Sequence, residues 1–174
     1  LVFADCLYAE LRNGFMVEMW LRIDRPEQPN AIHPLLEQVG ILEIKISAYA
    51  ECGGKLMARL ITDQGAVELK SSEILPYGKW VHVAMSYDPT RDSKEKLSFL
   101  IQGLAAGPQP GGPLWEYQDR GAVKGAVRAI KAEAAHPLRI GQGFHGAIDE
   151  LRISTTLRPL AELRDRRIFG WLLC

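Results

Sequence analysis

Hydrophobic and polar residues alternate with a period of two over many short stretches of this chain. That period places successive side chains on opposite faces of an extended strand, so each stretch predicts a strand with one apolar face. In residues 14–24 an apolar row from Phe15 to Leu21 alternates with a mixed row from Met16 to Arg22. We predict an opening strand and turn within 1–11, followed by strands over 14–24, 41–49, 55–62, 66–70, 79–88, 97–101, 137–141 and 146–154.

Other stretches favour turns or helices. Asp63-Gln64-Gly65 is typical of a hairpin connection. Residues 33–39 are ambiguous, because three of their apolar residues also fit one face of a helical turn. The excursion 107–136 begins rich in proline and glycine, and its part 122–135 has roughly helical spacing, which predicts a short helix. A second short helix is predicted over 157–169.

Many short strands separated by turns, with little helix, predict an all-β fold. We expect a two-sheet antiparallel β-sandwich or jelly roll, with short helices in the 107–136 excursion and near the C-terminus. At 174 residues, 1–174 is most simply a single domain. Since the chain starts at Leu1 without a signal pattern, we expect a domain excised from a longer protein.

Charge and cysteine usage narrow the classes of partner. Lys plus Arg and Asp plus Glu are both 21, so the formal net charge is zero and favours neither a nucleic-acid nor an anionic-membrane partner. No apolar run is long enough for insertion into a membrane. Cys6, Cys52 and Cys174 allow at most one internal pair. Cys6 with Cys174 is the pair to test first, although three free thiols fit such sparse usage better.

The stretch 138–154, LRIGQGFHGAIDELRIS, joins two short apolar runs through a glycine-rich turn. Glycine permits backbone conformations that a side chain would obstruct, so this turn can be tight. A regular alternation across AIDELRIS would put Asp149 on the same face as Leu151 and Ile153.

Three pieces in this order carry a resemblance: GFMVEMWLR, GKWVHVAMSYD, and LRIGQGFHGAIDELRIS followed by TTLRPLAEL. Together they resemble the laminin G-like, concanavalin A-like sandwich domains, in particular the pentraxin-like branch. The resemblance spans 15–163 and implies a jelly roll with one concave and one convex face. The chain departs from the pattern at Gln102-Gly103, where an Asp-Gly is common, and in the longer 107–136 excursion, which is expected over one sheet or the rim.

No pattern for catalysis stands out. Glucanases of this fold place their carboxylates on one strand in a Glu-x-Asp-x-Glu pattern, which is absent here. The four histidines are scattered and suggest neither a triad nor a metal-ligand spacing. We therefore expect a protein that is not an enzyme.

The resemblance implies a calcium ion held by Asp149 together with backbone carbonyls from near the N-terminus. Asp5 is the candidate for a second ligand. Calcium needs six to eight oxygens, so one aspartate does not make a site. The alternative, which we rank first, is that Asp149 accepts hydrogen bonds from backbone amides and holds its turn.

Candidate ligand-binding residues are Glu18, Trp20, Trp80 and His82, which lie on the strand faces opposite the apolar rows. Tryptophan rings stack on sugars, so these residues could bind a glycan. The alternative is that both tryptophans are core residues.

Two functions follow. The first is a non-catalytic recognition module that binds a glycan or an extracellular protein outside the cell, at the cell surface or in the periplasm. The second is a structural accessory domain that packs against neighbouring domains of the same polypeptide.

Overall fold

A computed structural model describes residues 2–3, 11–27, 32–50, 53–104, 114–127, 137–155 and 157. Their strands are β1 (Val2–Phe3), β2 (Phe15–Ile23), β3 (His33–Gln38), β4 (Leu42–Ala50), β5 (Gly53–Thr62), β6 (Gly65–Lys70), β7 (Leu75–Pro76), β8 (Trp80–Tyr87), β9 (Leu97–Leu104), β10 (Leu114–Gly121), β11 (Leu138–Ile140) and β12 (Gly146–Ser154). In these ranges the only helical element is a 3-10 turn at Leu11–Asn13. None of their helices is long and apolar enough to cross a membrane.

The strands form two antiparallel sheets. One is five-stranded, in the order β10-β9-β8-β2-β12. The other is seven-stranded, in the order β1-β11-β3-β4-β5-β6, with β7 paired to β5. The prediction of an all-β, two-sheet antiparallel sandwich is therefore confirmed.

The apolar rows of the two sheets meet in one core. In β2 the row from Phe15 to Leu21 is buried as predicted, and the matching row of β8 from Val81 to Tyr87 is buried beside it. The seven-stranded sheet contributes Leu42, Ile44, Ile46, Leu56, Ala58 and Leu60 to the same cluster. Removing these side chains from water is the main stabilising effect in such a sandwich.

The structure decides one ambiguous stretch and corrects one prediction. The ambiguous residues 33–38 form strand β3, because their backbone pairs with β4 on one side and β11 on the other. The 107–136 excursion supplies strand β10, which pairs with β9 along its whole length. The described part of the predicted helix, 122–127, is not helical.

Contacts with the β5–β6 turn explain the shape of 122–127. The Asp63 backbone N–H donates to the Ala126 carbonyl at 3.0 Å, and the Asp63 side chain accepts the Ala126 N–H at 3.0 Å. Val127 then forms a β-bridge with Thr62. These long-range hydrogen bonds outweigh a weak helix propensity. Other predictions concern residues outside those that the structure describes. They are the rest of the helix predicted over 122–135, the helix predicted over 157–169 beyond Leu157, the ligand Asp5, and all three cysteines.

A β-bulge interrupts β12. Asp149 lies opposite Trp20 and Arg152 opposite Glu18, so the register between the two strands shifts within β12. At the bulge Glu150 has a positive φ of 47°. The expectation that Asp149 shares a face with Leu151 and Ile153 is therefore wrong. Leu151 and Ile153 pack against the core, whereas Asp149 lies on the opposite, outer face.

Tyr87 predicts a pH dependence of stability. Its ring is buried against Phe15 in the core, and burial raises the pKa of its hydroxyl above the ordinary value of 10.0, opposed by a backbone hydrogen bond from Val127. A raised pKa in the folded state means that this stability is complete below pH 10.0 and is lost as the pH rises through the folded pKa. In urea titrations we expect the free energy of unfolding of Tyr87→Phe to fall less between pH 9 and pH 11 than that of the unmodified chain. Parallel losses in the two proteins would contradict this.

Candidate functional site

The mixed rows of β2 and β8 lie on the outer face of the five-stranded sheet, because their apolar rows point into the core. Antiparallel pairing sets Trp20 opposite His82 and Arg22 opposite Trp80. Glu18 follows on the same face of β2, two residues from Trp20. The structure thus brings all four predicted ligand-binding residues together on one surface.

The middle of this surface is buried and polar. Glu18, His82 and Gln102 are 3%, 6% and 0% exposed. His82 lies 4.0 Å from Glu18, measured between Nε2 and Oε2, and its ring centroid is 5.4 Å from that of Trp20. His82 therefore contacts both Trp20 and Glu18 on this face.

Farther along the same face of the sheet, the side chains are buried and apolar. Met16, Ala84 and Leu100 form a small cluster separate from the main core. A dissolved ligand reaches neither this cluster nor the polar middle without displacing what buries them. The end of the face that carries Trp80 is accessible, because Trp80 is 41% exposed.

We call Trp20, Arg22, Trp80 and Asp149 the aromatic corner. Trp80 is 41% exposed, and the Arg22 guanidinium carbon lies 5.6 Å from the centre of its ring. This distance is within the range of a cation–π interaction. Arg22 also forms an ion pair with Asp24, at 3.3 Å between Nε and Oδ1.

Asp149 is the exposed carboxylate of the aromatic corner. It lies directly opposite Trp20 on the neighbouring strand. Its Oδ1 accepts the backbone N–H of Glu150 at 2.8 Å, so the side chain caps the bulge. In the described part of the chain, no group of three or more His, Cys, Asp or Glu residues is placed to hold a metal ion. The calcium set of Asp149 with Asp5 stays a prediction.

The glycine-rich turn before β12 fixes this end of the sheet. The backbone N–H of Asp24 donates to the His145 carbonyl at 3.1 Å, which ties the turn to the end of β2. His33 Nδ1 lies 2.7 Å from the Gly143 carbonyl, which accepts, and the His33 ring meets that of His145 edge-on at 5.1 Å. The sequence alone did not indicate that these two histidines meet.

A side chain at position 146 would clash with the backbone next to the aromatic corner. Gly146 has a φ of 150°, and a Cβ there would lie 2.1 Å from the Arg22 carbonyl oxygen. We expect Gly146→Ala to lower the free energy of unfolding by about 1–3 kcal/mol in urea titrations. Gly143→Ala is the matched control, because Gly143 also has positive φ but a Cβ added to it would have no atom within 4 Å. Equal losses for the two variants would contradict the steric explanation.

The seven-stranded sheet offers a less suitable surface. A shallow depression of about 290 Å³ lies at the β3–β4 hairpin and is lined by Glu37, Glu43 and Arg59, among others. Each of these charges already has a partner: Arg139 at 3.3 Å, Lys45 at 3.0 Å and Glu68 at 3.6 Å, respectively. Among the described residues no aromatic side chain lines the depression, which makes it a poor platform for a sugar ring.

A sandwich of a five-stranded and a seven-stranded antiparallel sheet is typical of the concanavalin A-like class. The chain belongs to the laminin G-like family described as the concanavalin A-like lectin/glucanases superfamily, whose model matches residues 4–164. This match confirms the laminin G-like and concanavalin A-like parts of the resemblance. The pentraxin-like branch stays a prediction. No curated protein matches the sequence.

Solved structures share the fold at low sequence identity. A putative carbohydrate binding protein from Bacteroides ovatus matches with a TM-score of 0.55 and 12% identity over 91% of this chain and 42% of its own. Botulinum neurotoxin type C, from a study of its interaction with two ganglioside molecules, matches with a TM-score of 0.52 and 12% identity over 94% of this chain and 37% of its own. The chain therefore spans less than half the length of either protein.

Proposed function

We propose that this domain is a non-catalytic recognition module that binds carbohydrate at the aromatic corner. The observation that carries the proposal is Trp80, which is 41% exposed on a sheet face whose middle is buried. A large aromatic side chain left in water loses hydrophobic stabilisation that a ligand stacked on it would restore.

The chemistry around Trp80 suits a sugar. The apolar face of a pyranose ring stacks on an indole ring, while its hydroxyls need both donors and acceptors nearby. Arg22, on β2 opposite Trp80, can donate hydrogen bonds to sugar hydroxyls. Asp149, on β12 opposite Trp20, can accept hydrogen bonds from them. Diagonal neighbours such as Trp20 and Trp80 lie about 7–8 Å apart across two strands, so one saccharide can touch both.

Similar structures add support for a glycan as the ligand class. The Bacteroides ovatus protein is described as carbohydrate binding, and the neurotoxin study concerns gangliosides, which carry glycans. Both likenesses concern the fold, so the location of a site on this chain is argued from its own residues. We extend the proposal to a setting outside the cell, which the resemblance implies.

The proposal is tested on a glycan array, with the purified domain probed in calcium and again in EDTA. Binding in both conditions supports a sugar site that needs no metal. Binding in calcium alone supports the calcium prediction and makes Asp149→Ala the next variant. Absence of binding in both conditions rejects the proposal and favours the structural accessory domain. Recovery of cleaved glycan would contradict the non-catalytic part.

A further inference from the structure

On the basis of the proposed carbohydrate site, we infer that Asp149 determines its specificity and selects neutral sugars against acidic ones. The inference rests on where this carboxylate lies, opposite Trp20 at the start of the β-bulge, and on the pairing of the charges around it.

Regular pairing with Trp20 sets the face of Asp149, and the β-bulge that follows holds its side chain. A regular β12 would continue its alternation past residue 149, but the bulge at Glu150 lets Asp149 and Arg152 lie on the same outer face. The hydrogen bond from the Glu150 N–H holds the carboxylate at 2.8 Å through Oδ1. A side chain fixed in this way contacts a ligand without a large further loss of conformational entropy.

The position also puts a negative charge next to an aromatic platform. Asp149 is exposed and lies directly opposite Trp20, where a sugar stacked on that ring would present its hydroxyls. A carboxylate accepts hydrogen bonds from hydroxyls, and charge assistance makes these bonds stronger than neutral ones. Asp149 therefore increases the affinity for neutral sugars through these hydrogen bonds.

Nearby cations do not neutralise this carboxylate. Arg22 pairs with Asp24 at 3.3 Å and lies over the Trp80 ring, and Arg152 approaches Glu150 at 3.7 Å. Among the described residues none forms an ion pair with Asp149. A sialic or uronic acid at the aromatic corner would bring its own carboxylate close to Asp149, and like charges at such a distance repel.

The test compares a matched pair of glycans that differ in one charge: a glucose oligosaccharide and its counterpart in which one glucose is replaced by glucuronic acid. We expect the unmodified domain to bind the neutral member about tenfold more tightly. Asp149→Asn keeps the acceptor for the Glu150 N–H but removes the charge, so it should reduce this preference at least threefold. Raising the salt concentration should reduce it as well.

Asp92→Asn is the matched control, because Asp92 is also exposed and accepts a backbone N–H, from Lys94 at 3.0 Å, in the loop after β8. It should leave the preference unchanged. If the unmodified domain binds both members equally and Trp80→Ala loses that binding, the role of Asp149 is overturned but the proposed function is kept. An unchanged preference in Asp149→Asn would do the same. Binding of no glycan at all would overturn both.

Discussion

Replacing Trp80 with alanine is expected to weaken glycan binding at least tenfold while lowering the free energy of unfolding by about 1 kcal/mol or less. Tenfold corresponds to about 1.4 kcal/mol, which is within the range of a stacked aromatic side chain that is desolvated by its ligand. Trp80 is 41% exposed at the first residue of β8, so its removal leaves no cavity in the core. Isothermal titration with the strongest glycan from the array measures the first effect, and urea unfolding measures the second.

Two variants make the Trp80 result specific. Trp80→Phe retains a smaller ring and should give an affinity between those of the unmodified chain and Trp80→Ala. Ile32→Ala removes another exposed large hydrophobic residue, 59% exposed, which precedes β3 of the other sheet. It should not change binding. Loss of binding in Ile32→Ala, or full binding in Trp80→Ala, would move the site away from the aromatic corner.

Much of the sandwich could be predicted from the sequence because a period of two is a local signal. The face of β2 on which each residue of the row from Phe15 to Leu21 lies follows from counting residues, and the apolar character of that row marks it as the core face. The same holds for the rows of β8. Once both strands are recognised, Trp20 and Trp80 necessarily lie on the faces opposite these rows.

The sequence could not predict features that depend on pairing between distant strands. Alternation alone placed Asp149 with Leu151, because nothing in AIDELRIS signals that Glu150 adopts a positive φ of 47°. Strand β10 was missed since its partner β9 decides its conformation. The burial of Glu18 and His82 was missed for the same kind of reason: alternation assigns a face, but it does not show how much of that face the rest of the chain covers.

Replacing Phe15 with alanine is expected to lower the free energy of unfolding by about 3–5 kcal/mol, the cost of removing a buried aromatic side chain and leaving a cavity. Phe15 is 0% exposed, and its ring centroid lies 5.8 Å from that of Tyr87 across the β2–β8 pair. Phe15→Leu keeps most of the volume and should cost about 1.5 kcal/mol or less. Urea titrations should show lower midpoints with an unchanged slope, since the same surface is exposed on unfolding. A loss below about 1 kcal/mol in Phe15→Ala would contradict the packing between the sheets.

In the absence of urea the folded fraction of this variant should still bind glycan with unchanged affinity, because Phe15 and Trp80 lie on opposite faces of the five-stranded sheet. Trp80→Ala and Phe15→Ala thus separate recognition from folding.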